Sequence, residues 1–272
     1  MELGACLIFI ILLNKNMKKA LLIGINYTGQ SGGELRGCEN DVENIKQILI
    51  NNCGYSGCNI HLLKGNAATR QNIQHSIAML VKYMCPGDTL VFHYSGHGSY
   101  QRDTNGDEKD GQDEVLVPVD YKTNSVITDD WLNANFVNKI PKGSTLYGFI
   151  DACHSGSMLD LKYNYKHLLD NKYSLSLEKS NDIQGNVIML SGCLDPQTSA
   201  DAYINKTFQG AFSYCLIECL KKNIRQDDKR LQPIPFRTIL KDINVLLKQQ
   251  KFQQISQMSC GSINDLEKYL DL

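Results

Sequence analysis

Short apolar runs recur along this chain, and segments with the spacing of amphipathic helices lie between them. The runs are KKALLIGIN (18–26), NIHLLKG (59–65), DTLVFHYSG (88–96), STLYGFIDA (144–152) and NVIMLSGC (186–193). Runs of this length are typical of strands buried on both faces of a sheet. The helical segments are 40–52, 70–84, 129–140, 210–222 and 236–250. This alternation predicts an α/β fold in which a mainly parallel sheet carries helices on both faces.

Two polar segments interrupt the pattern. Residues 99–114 are turn-rich and predict a long loop. The VLVPVD that follows predicts a short edge strand, because Pro118 has no N–H for a ladder. Residues 157–184 are rich in Lys, Asn and Ser and predict a linker. We therefore divide the chain into an N-terminal extension (1–17), a larger region (18–160), a linker (161–185) and a smaller region (186–272).

Composition excludes some classes of function. The 28 Lys and Arg nearly balance the 29 Asp and Glu, so a nucleic-acid partner is not expected. The ten cysteines form no CxxC pair, and several lie in apolar runs, which favours free thiols in a reducing compartment. We therefore expect a cytoplasmic protein.

The N-terminal stretch allows two interpretations. Its apolar part, Leu3–Leu13, is too short to span a bilayer, so no membrane span is expected. We interpret it as an extra strand or as the result of an upstream start codon. A targeting segment is the alternative, because the stretch has the length of a signal-peptide core, although Glu2 replaces the usual basic residues.

Polar motifs end two successive predicted strands, and they carry the candidate chemistry. SGHG (95–98) follows one strand and DACHSG (151–156) follows the next. Ligands of open α/β sheets bind beyond the carboxyl ends of the strands, so side chains from neighbouring strand ends can meet there. A thiol beside an imidazole is a nucleophile with its acid and base. The sequence therefore predicts Cys153 as nucleophile and His97 as general acid and base.

Two other histidines are weaker candidates for the base. His154 follows Cys153 directly, and adjacent residues of extended chain point to opposite sides, so it is predicted to pack at the surface. His93 lies inside its strand and is predicted to be structural. The backbone N–H groups of Cys153 and Gly98 both leave strand ends, and they are the predicted donors to an oxyanion.

In these motifs and several others, the chain resembles the metacaspases, which are cysteine peptidases with a caspase-like fold. The motifs that carry the resemblance are LRGCENDV (35–42), VFHYSGHGS (91–99), DGQDEVLVPVD (110–120), ITDDWL (127–132), FIDACHSG (149–156) and SGCLDPQTSAD (191–201). The resemblance begins near residue 18 and continues to the C-terminus. The short length of the linker is similar to that of type I rather than type II metacaspases. The resemblance to the family implies a caspase-like large-subunit region over 18–160, a small-subunit region over 186–272 and a monomer.

Asp151 takes the place of the Gln that precedes Ala-Cys in caspases. Residues 151 and 153 lie on the same side of an extended chain, roughly 7 Å apart, so this carboxylate would attract a cation near the nucleophile. The resemblance implies cleavage after Arg or Lys, and it adds Cys38, Asp41 and Ser95 to the specificity pocket. For Asp41, the alternative is an ordinary acid at a helix N-terminus; for Cys38, it is plain packing.

The resemblance also implies calcium, with Asp113, Asp129, Asp130 and Asp160 as ligands. Carboxylates from three segments could supply a good share of the six to eight oxygens that calcium takes. A rival site is DTNGDEKDGQDE (103–114), which matches several EF-hand positions. Glu108 stands where an EF-hand needs glycine, so a solvated loop is the expectation there.

We expect a calcium-activated cysteine endopeptidase that cleaves protein or peptide substrates after Arg or Lys. Two alternatives remain: another peptidase of this fold, legumain-like or gingipain-like, and a non-catalytic calcium-responsive scaffold protein. Because exposed linkers are cleaved readily, autoprocessing is expected among the linker lysines, after Lys172 or Lys179.

Overall fold

The computed structural model describes residues 16–106, 108, 111–167, 172–178, 182–193, 201–204 and 206–272. Its centre is an eight-stranded sheet. The strands of this sheet are β1 Lys18–Gly24, β2 Ile60–Lys64, β3 Thr89–Ser95, β7 Thr145–Asp151, β8 Tyr163–His167, β9 Tyr173–Leu177, β10 Asn186–Ser191 and β14 Gln257–Cys260. They lie in the order β2-β1-β3-β7-β10-β14-β8-β9. The smaller strands are β4 Gly98–Arg102, β5 Gln112–Leu116, β6 Ile127–Thr128, β11 Asp201–Ile204, β12 Thr207–Gly210, β13 Ile234–Pro235 and β15 Tyr269–Leu270. The helices are α1 Cys38–Cys53, α2 Arg70–Lys82, α3 Tyr121–Asn124, α4 Asp129–Asn135, α5 Ala211–Lys222 and α6 Phe236–Gln249.

The apolar runs form the parallel half of the sheet, which confirms the predicted α/β class. Strands β2, β1, β3, β7 and β10 pair in parallel, and β14, β8 and β9 continue the sheet in antiparallel pairing. The register of β3 and β7 pairs Ser95 with Asp151. Both motifs predicted to carry chemistry therefore leave the sheet at the same edge.

Each face of the sheet is covered by helices, as the two-sided apolar strands require. Helices α1, α5 and α6 pack on one face, where Leu22 and Val91 of the sheet are buried. Helices α2 and α4 pack on the other face, over Leu21 and Phe92. Consecutive residues of one strand thus belong to opposite cores, which explains why these strands show no polar alternation.

The structure corrects two predictions of irregular chain. Residues 98–102 and 112–116 pair as a hairpin, where the sequence predicted a loop over 99–114. Residues 163–167 and 173–177 form β8 and β9 of the main sheet, where it predicted a linker over 161–185. Strands β4 and β9 are edge strands and are largely solvated, and β8 is only partly buried, so their polar composition conceals a period of two.

The strand predicted at VLVPVD lies slightly earlier in the chain, and it is the central strand of the sheet β4-β5-β6 rather than an edge strand. Strand β5 ends at Leu116, before Pro118, which cannot donate to a ladder. The extra strand predicted in the N-terminal stretch falls on residues that the structure does not describe. In the described part of the chain, we find no helix with the length and apolar character needed to cross a bilayer.

Candidate active site

The ends of β3 and β7 bring His97 and Cys153 to one edge of the sheet. Each lies two residues beyond the paired positions Ser95 and Asp151, and the Gly96 N–H donates to the Asp151 carbonyl at 3.2 Å. A Cβ atom placed on Gly98 would lie only 2.0 Å from the Cys153 carbonyl oxygen. The two loops are therefore in direct backbone contact, and only glycine fits at position 98.

The His97 ring is oriented by a backbone carbonyl. Its Nε2 lies 2.7 Å from the Gly33 carbonyl oxygen. A carbonyl only accepts, so Nε2 carries the proton in the neutral ring and Nδ1 is the basic nitrogen. The ring also packs against Tyr27 with its centroid 4.5 Å away. This arrangement fixes the tautomer that a general base needs.

Two buried tyrosines hold the backbone of His97. The Tyr27 hydroxyl accepts the His97 N–H at 3.0 Å and donates to the Val117 carbonyl at 2.6 Å. The Tyr94 hydroxyl donates to the His97 carbonyl at 2.8 Å. Burial raises the pKa of both tyrosines, so both keep the protons with which they donate.

Gly98 is placed to donate its backbone N–H outside the hairpin ladder. The Val117 N–H donates to the His97 carbonyl, and Gly98 lies opposite Leu116 in the register of β4 and β5. Because bonded and non-bonded pairs alternate in antiparallel ladders, the Gly98 N–H points away from β5. This supports the predicted oxyanion role of Gly98 beside the N–H of Cys153.

His154 packs at the surface and His93 is buried in its strand, as predicted, but the backbone of His154 is not extended. His154 has φ of +49°, so its backbone is left-handed rather than extended, and its ring packs edge-on against Tyr100 with centroids 5.0 Å apart. His93 is fully buried, with Nδ1 3.0 Å from the Phe149 carbonyl oxygen. Burial lowers the pKa of His93 to about 4, so it is neutral at pH 7.

Two buried carboxylates converge beside this edge. Asp41 accepts the Ser95 hydroxyl at 2.7 Å and the Gly210 N–H at 3.0 Å, and Asp151 accepts the Ser213 N–H at 2.7 Å. A Cβ on Gly210 would lie 2.2 Å from Asp151 Oδ2 and 2.9 Å from Asp41 Oδ2. The Ser95, Gly210 and Ser213 donors are neutral groups. The arrangement suits a cationic side chain.

Cys38 is the remaining residue predicted for the specificity pocket. It begins α1, is buried, and its carbonyl lies against Gly24 at the end of β1. A Cβ on Gly24 would lie 2.5 Å from that carbonyl oxygen. Cys38 therefore fixes the start of the helix that carries Asp41. This is a packing role, as in the alternative interpretation of Cys38.

An acidic cluster lies beyond the hairpin. Three carboxylate oxygens lie within 4.8 Å of one another, one each from Asp129, Asp130 and Asp160. A second group, equally close, has one oxygen each from Glu108, Glu114 and Asp129. Asp129 accepts the N–H groups of Glu114 and Asp130 at 2.8 Å. Burial, together with the nearby Glu114 carboxylate, raises the pKa of Asp129 to about 9.

The predicted calcium ligands are thus only partly gathered. Among the described residues, Asp113 is in neither group of close carboxylates; it is buried in β5 and accepts from Gln101 at 3.3 Å. The Asp103 carboxylate, first in the rival EF-hand prediction, accepts the N–H groups of Asn105, Gly106 and Glu108 and so caps a turn in its own loop. Asp107, another residue of that prediction, lies outside the described residues.

Several residues of the site had no signal in the sequence. Gly33 acts through its carbonyl, and Gly210 and Ser213 act through their N–H groups, which any residue type supplies. Glu108 and Glu114 reach the acidic cluster from a segment predicted as a solvated loop. Tyr27 has a left-handed backbone conformation, with φ of +52°, and no feature of its local sequence predicts this.

Comparison with known proteins assigns the family. The family model described as metacaspase, peptidase C14 domain, matches residues 18–162. Metacaspase-1 of Arabidopsis thaliana is 39% identical over 76% of this chain and 60% of its own length. Metacaspase-1 of Scheffersomyces stipitis is 35% identical over 92% of this chain and 72% of its own length. The chain therefore spans 60–72% of the length of these two relatives.

A solved structure supports the fold. The crystal structure of a protein from Geobacter sulfurreducens superposes with a TM-score of 0.66, covering 93% of this chain and 97% of that one. At 24% identity this likeness shows the fold alone. The architecture is thus one that a solved structure shares, and the family match covers the strands that carry both motifs. The chain belongs to the metacaspase family of peptidases.

Proposed function

We propose that the chain is a cysteine endopeptidase in which Cys153 attacks the scissile carbonyl and His97 transfers the proton. The observation that carries the proposal is the direct contact of the two strand-end loops at Gly98 and Cys153. The Nδ1 of His97 takes the thiol proton and later gives it to the leaving amine, and water then hydrolyses the thioester. The N–H groups of Cys153 and Gly98 stabilise the oxyanion.

The specificity we propose is for Arg or Lys before the scissile bond. Asp41 and Asp151 are buried and converge on Gly210. Two carboxylates in so small a buried volume repel each other, and a substrate cation between them offsets this repulsion. Ser95 and Cys38 position Asp41, the first by a hydrogen bond and the second by beginning its helix.

The cofactor we propose is calcium, held by Asp129, Asp130 and Asp160. The donor set fits, because these are hard oxygen ligands and a buried Asp129 of raised pKa is stabilised by a nearby cation. Glu114 and Asp113 are neighbours that can complete or support the set. When bound, calcium supplies charge neutralisation that ties the hairpin, α4 and the turn after Cys153 together.

We propose a monomer. Strand β14 is paired on both sides, by β10 and β8, and the antiparallel end of the sheet is the five-residue strand β9. Very short edge strands disfavour pairing with a second copy. Sedimentation or light scattering at working concentration tests this part.

The catalytic proposal is tested with Cys153→Ala, His97→Ala and, as the matched control, His154→Ala. Residues of a dyad act as a unit, so either loss lowers kcat/KM on an Arg peptide by several orders of magnitude. His154→Ala stays within about tenfold of wild type, since its ring packs on Tyr100.

The opposite pattern would contradict the assignment of the base. Wild-type protein that cleaves no peptide, with or without calcium, while binding calcium tightly, would favour the scaffold alternative.

A further inference from the structure

The peptide that links Ala152 to the nucleophile is held by a second cysteine. The Cys193 thiol donates to the Ala152 carbonyl, with Sγ 3.0 Å from the oxygen. Its side chain has no exposed surface. The Ser155 hydroxyl lies 3.9 Å from the same sulfur, within reach of a weak hydrogen bond.

Fixing this carbonyl also fixes the N–H of Cys153. A peptide group is planar and trans, so the C=O of residue 152 and the N–H of residue 153 point in opposite directions in one plane. Rotation of the plane would turn the N–H away from the reacting carbonyl. We propose that Cys193 is a positioning residue, whose thiol holds the Ala152–Cys153 peptide so that its N–H faces the oxyanion.

The inference deepens the proposed peptidase function and rests on it. Cys193 touches neither substrate nor the reacting atoms in this scheme; it acts through the backbone of residue 152. It is a different role from that of Cys153, and none of the sequence motifs assigned it one.

The thiol is suited to this role because it stays protonated. Burial raises the pKa of Cys193 to about 12, so the S–H donor persists across the working range of a peptidase. A buried thiol of this kind is also a poor nucleophile and does not compete with Cys153.

Cys193 is itself held in place by the sheet. The Gly192 N–H donates to the Ile150 carbonyl at 2.8 Å and so extends the pairing of β10 with β7. The buried Gln254 side chain donates to the Gly192 carbonyl at 2.8 Å. The thiol therefore approaches Ala152 from a fixed segment.

Three successive carbonyls of the nucleophile turn are thus restrained by different neighbours. The Asp151 carbonyl accepts the Gly96 N–H, the Ala152 carbonyl accepts the Cys193 thiol, and the Cys153 carbonyl lies against Gly98. The contact from Cys193 is the one made by a side chain, so it can be removed by substitution.

The test uses Cys193→Ala and Cys193→Val, which remove the donor, and Cys193→Ser, which keeps one. Valine also keeps most of the packing volume. With an Arg peptide, we expect kcat of the Ala and Val variants to fall about tenfold or more, with KM changed less than about twofold, and Ser to recover to within about threefold of wild type.

Two further readouts separate positioning from loss of structure. A peptide aldehyde forms a tetrahedral adduct that uses the oxyanion donors, so its affinity falls in parallel with kcat in the Ala and Val variants. Alkylation of Cys153 by iodoacetamide, followed by peptide mass mapping, needs no oxyanion and keeps its wild-type rate.

Several outcomes would overturn the inference. These are wild-type kcat in Cys193→Ala, a Cys193→Ser variant as slow as Cys193→Ala, or a loss of Cys153 alkylation equal to the loss of kcat. Failure of the proposed function looks different, because wild type would then be inactive, or Cys153→Ala would be as active as wild type.

Discussion

Asp41 and Asp151 show how single residues set the chemistry of this site. Both are buried, and both accept hydrogen bonds from neutral groups that orient them, the Ser95 hydroxyl and the Ser213 N–H. A buried charge is costly unless it is compensated. In the proposed specificity, a substrate guanidinium or ammonium supplies such compensation.

Replacing Asp151 by Asn removes one of these charges and keeps the shape. Removing one partner of a desolvated charge pair costs roughly 2–5 kcal/mol of binding free energy. We therefore expect kcat/KM for Arg and Lys peptides to fall about 30-fold or more. Cys153 alkylation should change little. Asp88→Asn, a buried acid at the opposite end of β3, controls for general destabilisation. Wild-type discrimination between Arg and Asp peptides in Asp151→Asn would place the pocket elsewhere.

His93 sets a pH dependence of stability. Its pKa is about 4 when folded and 6.5 in the unfolded reference, because burial disfavours the charged ring. The unfolded chain therefore binds a proton between these values and the folded chain does not. Stability from this residue is complete above pH 6.5 and is lost as the pH falls toward 4, by about 3 kcal/mol.

Urea unfolding at pH 7.5 and pH 4.5 tests this assignment, with His93→Asn beside wild type. We expect the difference in unfolding free energy between the two pH values to shrink by about 2–3 kcal/mol in the variant. His75→Asn, on the exposed surface of α2, is the control and should match wild type. An equal pH slope in His93→Asn and wild type would contradict the assignment.

At the scale of elements, the β8–β9 hairpin turns a predicted linker into part of the sheet. β8 pairs with β14 and β9 pairs with β8, both antiparallel. Lys166 lies within β8 opposite Gln257, whereas Lys172 is exposed and immediately precedes β9. The ladder therefore protects one lysine and leaves the other accessible.

Autoprocessing should follow this difference. We expect calcium-treated wild type to cleave itself after Lys172, giving residues 1–172 and 173–272, because Lys172 is exposed outside the ladder and only the Tyr173 end of the β8–β9 pairing must open. Lys179, the other candidate, lies outside the described residues. Lys172→Gln should remove this cut and Lys166→Gln should leave it. Equal fragmentation of Cys153→Ala would reveal a contaminating protease.

At the scale of the whole molecule, the acidic cluster joins parts that are distant in sequence. Glu114 comes from the hairpin, Asp129 and Asp130 begin α4, and Asp160 follows the nucleophile turn. The Ser157 hydroxyl also donates to Glu114 at 2.6 Å, between the nucleophile turn and the hairpin. A cation bound there would stabilise the native arrangement around Cys153.

Calcium should therefore raise both Tm and activity. Ligand at about 100 times Kd stabilises the native state by about 2.7 kcal/mol, which a thermal melt detects. Magnesium should give a smaller rise, because it dehydrates reluctantly. Asp129→Asn combined with Asp130→Asn should remove the calcium response and keep Cys153 alkylation, and Asp103→Asn is the control. Full wild-type activity in excess chelator would reject the calcium proposal.

The sequence by itself determined the α/β class, the positions of the five parallel strands along the chain and the two strand-end motifs. Strand periodicity and glycine placement are local properties, so they can be read from the chain without knowledge of distant contacts. The motifs then located His97 and Cys153 at one edge, since parallel strands share the direction in which they end. Strands β4, β8 and β9 were missed because their solvated polar residues resemble a loop or a linker.

Only the tertiary structure decided which groups complete the site. The Gly33 carbonyl, the Gly210 and Ser213 N–H groups and the Cys193 thiol reach it from distant segments. Backbone groups are chemically identical at every position, so no pattern in the sequence marks the ones that matter. The same holds for burial, which raises the pKa of Asp129 and lowers that of His93 through their surroundings rather than their sequence neighbours.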